Sequence, residues 1–318
     1  MTPKTGHLIC LILLFTLPAL RSLGQLEKIT FDLAKEKPQK FEERVLKSEK
    51  TGQKKFSLLR KFSQNTGSHY NYYFNANNKI NSIIERARMA QTDDYTRLLP
   101  YYSYSLDNTS SQKNDLDSVL QKATAGILLH DLRTNWVDNF YMLIGKAYYL
   151  RKDFDSAYMA FQFINFNLYP KNKKNKDEPL IIGSNENGAA GTLSISSKED
   201  RNFFKKILSK PPSRNDALVW QALALTQMGK YAEASGLINT LKNDPAFPKR
   251  LQIQLNEVQG FWFYSQNMYD SAINYIQLAL PNSLDLQDRA RREFILGQLF
   301  EMKPDVDSSA YYYSKAIH

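Results

Sequence analysis

The sequence predicts an all-α fold in which helical hairpins stack into a superhelix, or α-solenoid, preceded by a short N-terminal β-hairpin segment. Two observations predict the solenoid. Small residues recur, each preceded twelve positions earlier by another small residue, and these anchors are Ala157, Ala234, Ala272 and Ser309. The last three anchors are 38 and 37 residues apart, close to the period of about 34 residues of a two-helix repeat. A single hairpin cannot bury its own apolar face, so neighbouring hairpins are expected to stack.

Residues 136–170 show the repeat most completely. The matching positions are Tyr141, Ile144, Gly145, Tyr148, Ala157, Phe161 and Pro170. This spacing is that of the tetratricopeptide repeat, in which a tight turn joins two helices. The helices are expected to approach closely at Gly145 and Ala157, so a larger residue at Gly145 would overpack the crossing.

The same pattern divides the C-terminal half into repeats at 213–250, 251–288 and 289–318. The last repeat is expected to be truncated, because the sequence stops about two turns into its second helix. Residues 65–135 have apolar positions at helical spacing and predict degenerate helical repeats that cap the array at its start.

Residues 171–212 separate the first two complete repeats and predict a flexible insertion. A charged run, KNKKNKDE, precedes a stretch rich in Gly, Ser and Asn, and this composition indicates mobility until a partner binds. Gly183 to Gly191 faintly resembles a phosphate loop, but the lysine and the hydroxyl residue that would bind nucleotide and magnesium are missing. The insertion is therefore expected to contact a protein and not a nucleotide.

The N-terminal region predicts a signal peptide followed by a basic segment. In residues 1–24, an apolar run of 13 residues follows Lys4, and Ser22 and Gly24 supply the small residues of a cleavage site. Export to the periplasm is the expected outcome. In residues 25–64, two short apolar runs flank a Lys-Thr-Gly turn and predict a β-hairpin. The predicted strand residues are Phe41, Val45, Leu46, Phe56, Leu58 and Leu59.

Composition and motifs argue against several functional classes. The single cysteine, Cys10, lies in the signal peptide, which excludes disulfides, thiolate catalysis and cysteine metal sites in the mature chain. His69 and His130 have no partner at metal-ligand spacing. The formal net charge is +10, but export and the lack of a groove-reading motif argue against nucleic acid. No catalytic constellation is recognisable, so no enzyme activity, cofactor or metal is expected.

In tetratricopeptide arrays the first helix of each repeat presents side chains to a concave groove. Polar and aromatic residues dominate these positions here, and they suit an extended peptide held by amide hydrogen bonds and stacking. The expected protein-binding positions are Asn139, Lys146, Tyr149, Asp216, Thr226, Gln227, Gln254, Glu257, Phe261 and Tyr264. The sequence leaves open whether each of them binds a ligand or only faces water.

Five runs go beyond the generic repeat pattern. They are KSEKTGQKKFSLLRKFSQNT, HYNYYFNANNKI, DDYTRLLPYYSYSLD, TAGILLHDLRTNWVDNFYMLIGKAYYLRKDFDSAYMAFQFINF and LINTLKNDPAFPKRLQ. In these runs the chain resembles the SprE/PorW family of Bacteroidetes. The resemblance implies a cell-envelope tetratricopeptide protein required for type IX secretion and, in gliding species, for surface motility. The implied partners are the periplasmic ring of the secretion motor and the outer-membrane translocon.

The resemblance has two departures. Members of the family are typically lipoproteins, whereas no cysteine stands at the cleavage site of this chain. Membrane association is therefore expected only through partners or an unrecognised anchor. Members are also longer than this chain, which agrees with the expectation of a truncated last repeat.

The leading hypothesis is a non-enzymatic periplasmic scaffold whose groove and insertion bind components of the secretion machinery. The alternative is a periplasmic chaperone that uses the same groove for unfolded peptides. A third reading is an envelope enzyme such as a peptidoglycan hydrolase. Its catalytic domain would have to lie in residues 25–134, where no acid and base pair is apparent.

Overall fold

The computed structural model describes residues 48, 51, 55–168, 194–199, 212–282 and 286–317. The chain divides into two compact units, Met1–Glu42 and Glu43–His318, and every described residue belongs to the second. The predicted signal peptide and the first predicted strand, with Phe41, Val45 and Leu46, lie outside the described residues.

The described part of the chain is all-α, with many packed helices and no β-sheet. Its α-helices are α1 (Leu58–Gly67), α2 (Phe74–Met89), α3 (Leu106–Ser110), α4 (Lys113–Leu128), α5 (Val137–Leu150), α6 (Phe154–Asn167), α7 (Arg214–Gln227), α8 (Tyr231–Asn243), α9 (Gln252–Tyr264), α10 (Tyr269–Ala279), α11 (Leu286–Glu301) and α12 (Val306–Ile317). A π-helical turn, Ser68–Tyr73, joins α1 to α2, and 3-10 turns occur at Lys249–Leu251 and Leu280–Asn282.

Part of the second predicted strand of the N-terminal hairpin is helical, so the prediction is wrong for Leu58 and Leu59. Helix α1 begins at Leu58, and the Ser57 hydroxyl accepts a hydrogen bond from the Arg60 amide at 3.4 Å. A serine in this N-cap position favours a helix start. The apolar side chains that suggested a strand are exposed, with Leu58 at 86% and Leu59 at 84%.

In the described part of the chain, four helical hairpins follow one another from residue 137 onward. The pairs are α5 with α6, α7 with α8, α9 with α10, and α11 with α12, and each second helix also packs against the first helix of the next pair. At the N-terminal end, α4 packs against α5 and α2 packs against α4. The order in space therefore follows the order in sequence, as in a repeat array.

The turn inside each hairpin has the same hydrogen bond. The residue immediately before the second helix donates its amide to a carbonyl five residues earlier, and the pairs are Asp153 to Tyr148, Lys230 to Leu225, Met268 to Phe263 and Asp305 to Phe300, at 3.0 to 3.1 Å. This is the bond that closes a helix whose last residues adopt a left-handed conformation. Gly229, at φ 72°, takes that conformation in the second hairpin. The acceptors are 77, 38 and 37 residues apart, the same intervals as the small anchors.

The small residues lie where the paired helices cross. A Cβ atom added to Gly145 would stand 2.4 Å from Cε1 of Phe161, and one added to Gly297 would stand 2.6 Å from Cδ1 of Tyr313. The Ser309 hydroxyl donates to the carbonyl of Gly297 at 3.0 Å. The small residues were predicted to allow the paired helices to approach closely, and the structure shows this close approach.

Buried apolar residues form two clusters. The first core extends from α2 through α9, and its largest fully buried side chains include Tyr149, Phe140 and Phe161. The second core is smaller and joins α10 and α11 to the connection between α2 and α3. Its buried members are Leu99, Tyr101, Ala272, Ile273, Ile276, Ile295, Leu296 and Leu299.

Part of the predicted insertion is fixed against the helices. The Asp244 carboxylate accepts hydrogen bonds from the amides of Ile195 and Ser196 at 3.0 and 2.8 Å, and Ser194 and Ser196 are buried. Asn215 accepts from the Ser197 amide at 2.9 Å and donates to its carbonyl at 2.8 Å. The expected flexibility therefore does not extend to residues 194–199, and most of the insertion lies outside the described residues.

Candidate peptide-binding groove

Residues 93–104, in the connection between α2 and α3, contain no helix and cross the first helices of the hairpins. We call this segment the strap. Its sequence is DDYTRLLPYYSY. Pro100 fixes its own φ angle, has no amide hydrogen to donate, and disfavours a helical conformation at Leu99. The strap is therefore locally unsuited to a helix, and its polar main-chain groups must find partners elsewhere.

Side chains of α9 and α11 supply those partners. Gln298 accepts from the Leu99 amide at 3.0 Å and donates to the Arg97 carbonyl at 2.6 Å. The Tyr264 hydroxyl donates to the Leu99 carbonyl at 2.5 Å, and the Arg291 guanidinium donates to the Pro100 carbonyl at 2.9 Å. We call the surface formed by Glu257, Gly260, Phe261, Tyr264, Arg291 and Gln298 the groove. Side chains of the groove thus hold a main chain, as they do in peptide recognition.

Two side chains of the strap are inserted among the helices. Leu99 is 1% exposed and belongs to the second core. Tyr101 lies against Gly260, where an added Cβ would stand 2.7 Å from the Tyr101 hydroxyl oxygen. That hydroxyl donates to the Glu257 carbonyl at 2.8 Å, and the Tyr101 ring lies 5.4 Å from the rings of both Phe261 and Tyr264. Gly260 therefore admits the tyrosine of the strap.

Charged residues around the groove are paired. Arg291 bonds to the Asp93 carboxylate of the strap, and Arg292 bonds to Glu257 at 2.8 Å. Asp288 accepts from Arg88 at 2.7 Å and from the hydroxyl of Ser103 at 2.8 Å. Charges that are removed from water need such partners. The strap therefore contributes polar side chains as well as main-chain groups to the contact.

Burial shifts the titration of several groups at this contact. Desolvation raises the pKa of Glu257 above its ordinary value, and the Arg292 charge opposes that shift. Desolvation also raises the pKa of Tyr101, and it raises the pKa of Tyr104 to about 12. The phenols are consequently neutral hydrogen-bonding groups at pH 7.

Beyond Tyr101 the strap continues toward α5 and α7. It forms one wall of a surface pocket of about 450 Å³, whose lining includes Tyr102, Tyr104, Tyr149 and Gln227. Gln227 donates to the Tyr149 hydroxyl at 3.2 Å. The strap ends at α3, where the Thr109 hydroxyl donates to the Leu150 carbonyl at 2.7 Å. It therefore runs from α11 across α9 to the end of α5.

The structure brings together half of the ten predicted groove residues. Glu257, Phe261 and Tyr264 contact the strap, while Tyr149 and Gln227 line the adjacent pocket. Gln254 is half-buried one turn before Glu257 on α9, so it continues the same helix face.

The other four predicted positions are engaged elsewhere. The ammonium of Lys146 lies 5.0 Å from the centre of the Trp220 ring, and Asp216 pairs with Arg250 at 2.5 Å. Thr226 is 2% exposed and donates to the carbonyl of Ala222, and Asn139 is 7% exposed and donates to Asp138 at 3.0 Å. Thr226 and Asn139 are thus not available to a ligand, because helix packing turns these two side chains into the interior.

Sequence reasoning missed the residues that hold the strap from α11, and it missed the strap itself. Arg291 and Gln298 are ordinary surface residue types, and they lie near 200 positions from their partners, with sequence separations of 191 and 199. The available signal was the run LLPYYSY between two helices, because a proline among apolar and aromatic residues is unsuited to a helix and too apolar for a solvated loop.

No protein-family model matches the chain, and no curated protein matches it. Among solved structures, the chain is similar to the crystal structure of BtubC (BKLC) from P. vanneervenii. The identity is 14%, the alignment covers 77% of this chain and 88% of that chain, and the TM-score is 0.38. A likeness of this size supports no functional argument.

In the described ranges, no group of three or more His, Cys, Asp or Glu residues is arranged to hold a metal ion. Of the helices given above, none combines the length and the apolar composition needed to cross a membrane.

Proposed function

We propose that the chain is a non-enzymatic tetratricopeptide scaffold of the periplasm that binds partner proteins of the type IX secretion and gliding-motility machinery. The four hairpin turns with the same hydrogen bond, at the intervals of the small anchors, support the repeat assignment. The resemblance to the SprE/PorW family supports the choice of partners. Under this proposal the chain needs no cofactor or metal.

The observation on which the binding function rests is the way in which the groove holds the strap. Gln298 accepts from the Leu99 amide, and Tyr264 and Arg291 donate to the carbonyls of Leu99 and Pro100, which lie in a non-helical segment. A partner segment in the same non-helical conformation presents the same main-chain groups. The surface can therefore hold a partner segment through bonds of the same kind.

Site-specific photo-crosslinking in the envelope of a Bacteroidetes host tests the assignment. A photoreactive residue replaces Gln254, which is half-buried on the groove face of α9. Gly236, exposed on α8 with no atom within 4 Å of its added Cβ, is the matched control. We expect a secretion-ring or translocon component to be crosslinked from Gln254 and not from Gly236. Failure to identify any such component at Gln254 contradicts the proposed function.

One observation favours the chaperone as a second candidate. Gln298, Tyr264 and Arg291 each donate a hydrogen bond to a main-chain carbonyl of the strap, and main-chain atoms are common to every peptide. A groove of this kind can bind unrelated sequences with similar affinity. Fluorescence anisotropy with a panel of unrelated unfolded peptides separates the two functions. Similar binding of most peptides supports the chaperone, and binding of one secretion-component segment alone supports the scaffold.

A further inference from the structure

We infer that the strap is an intramolecular ligand of the groove, and that a partner segment of the same chemistry binds by replacing it. The partner segment is expected to be non-helical, with an acidic residue followed by leucine, proline and tyrosine. The inference rests on the proposed function only for the identity of the partner. That the strap fills the groove is shown by contacts within the chain itself.

The strap is held as a peptide ligand would be held. Its main chain receives bonds from Gln298, Tyr264 and Arg291, and it buries alternate side chains, Leu99 and Tyr101. Main-chain bonds with pockets for alternate side chains are the usual basis of affinity and specificity for an extended peptide. Any segment with leucine and tyrosine two positions apart can make these contacts.

The two ends of the strap are anchored independently of the groove. Helix α2 places Ile83 and Ala87 in the interior, at 0% and 1% exposed, and Ile83 belongs to the first core. At the other end, Thr109 of α3 bonds to Leu150. Neither attachment uses a groove residue. The strap can therefore leave the groove while α2 and α3 remain packed.

Charge complementarity specifies the acidic residue of the competitor. Arg291 is 10% exposed and pairs with Asp93, which belongs to the strap. Removal of the strap would leave this guanidinium without its carboxylate partner, and a buried unpaired charge is costly. A competitor with Asp or Glu about six positions before its leucine, as Asp93 precedes Leu99, restores the pair.

Under this inference, the tether would keep weak ligands out of the groove. A segment attached at both ends to packed helices has a high effective concentration, of the order of millimolar for a short linker. A free peptide of the same intrinsic affinity must compete with that concentration. Partner binding is then limited to segments that bind more tightly than the strap, or to states in which the strap has been released.

The test supplies the strap in trans. The probe is a fluorescently labelled peptide with the sequence of residues 93–104, and the receptor is the whole chain with Tyr101→Ala. This variant leaves a hole against Gly260, Phe261 and Tyr264 that the tyrosine of the peptide can fill. We expect fluorescence anisotropy to show binding about tenfold or more tighter than binding to the unsubstituted chain. A peptide with alanine at the Tyr101 position should lose that gain.

A second substitution locates the bound peptide. Adding Gln298→Ala to the Tyr101→Ala chain removes the two bonds to Leu99 and Arg97, and it should weaken peptide binding by about tenfold. Equal binding of the peptide to the Tyr101→Ala chain and to the unsubstituted chain overturns the inference. Absence of binding to a Tyr101→Ala chain that keeps its helical circular dichroism also overturns it.

A milder variant covers the case in which Tyr101→Ala does not fold. Tyr101→Phe keeps the ring and removes only the strap's donor to the Glu257 carbonyl, so the peptide, which keeps its tyrosine, should bind this chain more tightly than the unsubstituted chain. No increase overturns the inference. Peptide binding in trans without crosslinking to secretion components would reject the proposed function and support the inference about the strap. Crosslinking to those components without peptide binding in trans would support the proposed function and reject the inference about the strap.

Discussion

Gly145 is a residue whose absent side chain sets the distance between α5 and α6. An added Cβ would stand 2.4 Å from Cε1 of Phe161, which is fully buried. We expect Gly145→Ala to lower the free energy of unfolding by about 1 to 3 kcal/mol through overpacking. Gly236→Ala, at an exposed site in α8, should instead raise it by up to about 1 kcal/mol through helix propensity. Urea denaturation measures both, and equal effects would contradict the close crossing.

Asp131 connects α1 to the loop after α4. It is fully buried and accepts from Arg133 at 2.7 Å and from Arg60 at 3.1 Å. The hydrogen bond from Arg133, followed by the bonds from its amide and from Arg60, holds the pKa of Asp131 far below its ordinary value of 3.8 against the opposing effect of desolvation. Because the folded pKa is lowered, this carboxylate stabilises the fold above about pH 4, and the contribution is lost as the pH falls below that value.

Asp131→Asn should therefore be less stable than the unsubstituted chain at pH 7, by about 1 to 3 kcal/mol. The difference should shrink as the pH is lowered from 4 to 3. Asp107→Asn is the control, since Asp107 forms an exposed pair with Lys152, and its effect should stay below about 0.5 kcal/mol. Urea unfolding at several pH values measures the difference. A constant difference between pH 7 and pH 3 would show that Asp131 stabilises by packing alone.

At the scale of elements, the strap depends on Gln298. The side-chain amide of this residue accepts from the Leu99 amide and donates to the Arg97 carbonyl. Gln298→Leu removes both bonds at nearly constant volume, at a cost of about 1 to 3 kcal/mol. Hydrogen exchange at the Leu99 amide should then be about 10 to 100 times faster. Gln277→Leu is the control, because Gln277 also donates one bond, to the Tyr312 hydroxyl at 2.8 Å, and does not contact the strap. Unchanged exchange at Leu99 would mean that the groove does not hold the strap.

The elements also show what the sequence could predict. The hairpins were predictable because their determinants are local, as with Gly297 and Ser309, which meet twelve positions apart. The strand at Leu58 and Leu59 was mispredicted because these apolar residues suggested the buried face of a strand. They are instead exposed at the start of a helix that Ser57 caps. The strap was not predictable, because its partners lie on α9 and α11 and no local pattern specifies a contact over such sequence distances.

At the scale of the whole helical unit, Glu43–His318, the strap links parts that are distant in sequence. Tyr102 and Phe261 pack against both the first and the second core. In a simple repeat array each repeat contacts only its neighbours, so local damage spreads to adjacent repeats alone. Here the second core includes Leu99 and Tyr101 as well as residues of α10 and α11. Damage in α11 should therefore reach the connection between α2 and α3.

Leu296→Ala tests that coupling, since Leu296 is fully buried in the second core on α11. The truncation should cost about 2 to 5 kcal/mol, and we expect faster hydrogen exchange in α11, in α12 and also in the strap. Leu143→Ala, at a buried site of the first core on α5, is the matched control and should accelerate exchange in α5 and α6 more than in α12. Faster exchange in α11 and α12 with an unchanged strap would show that the strap is an independent segment. Acceleration of all three segments together would show that one cooperative unit joins residues about 190 positions apart.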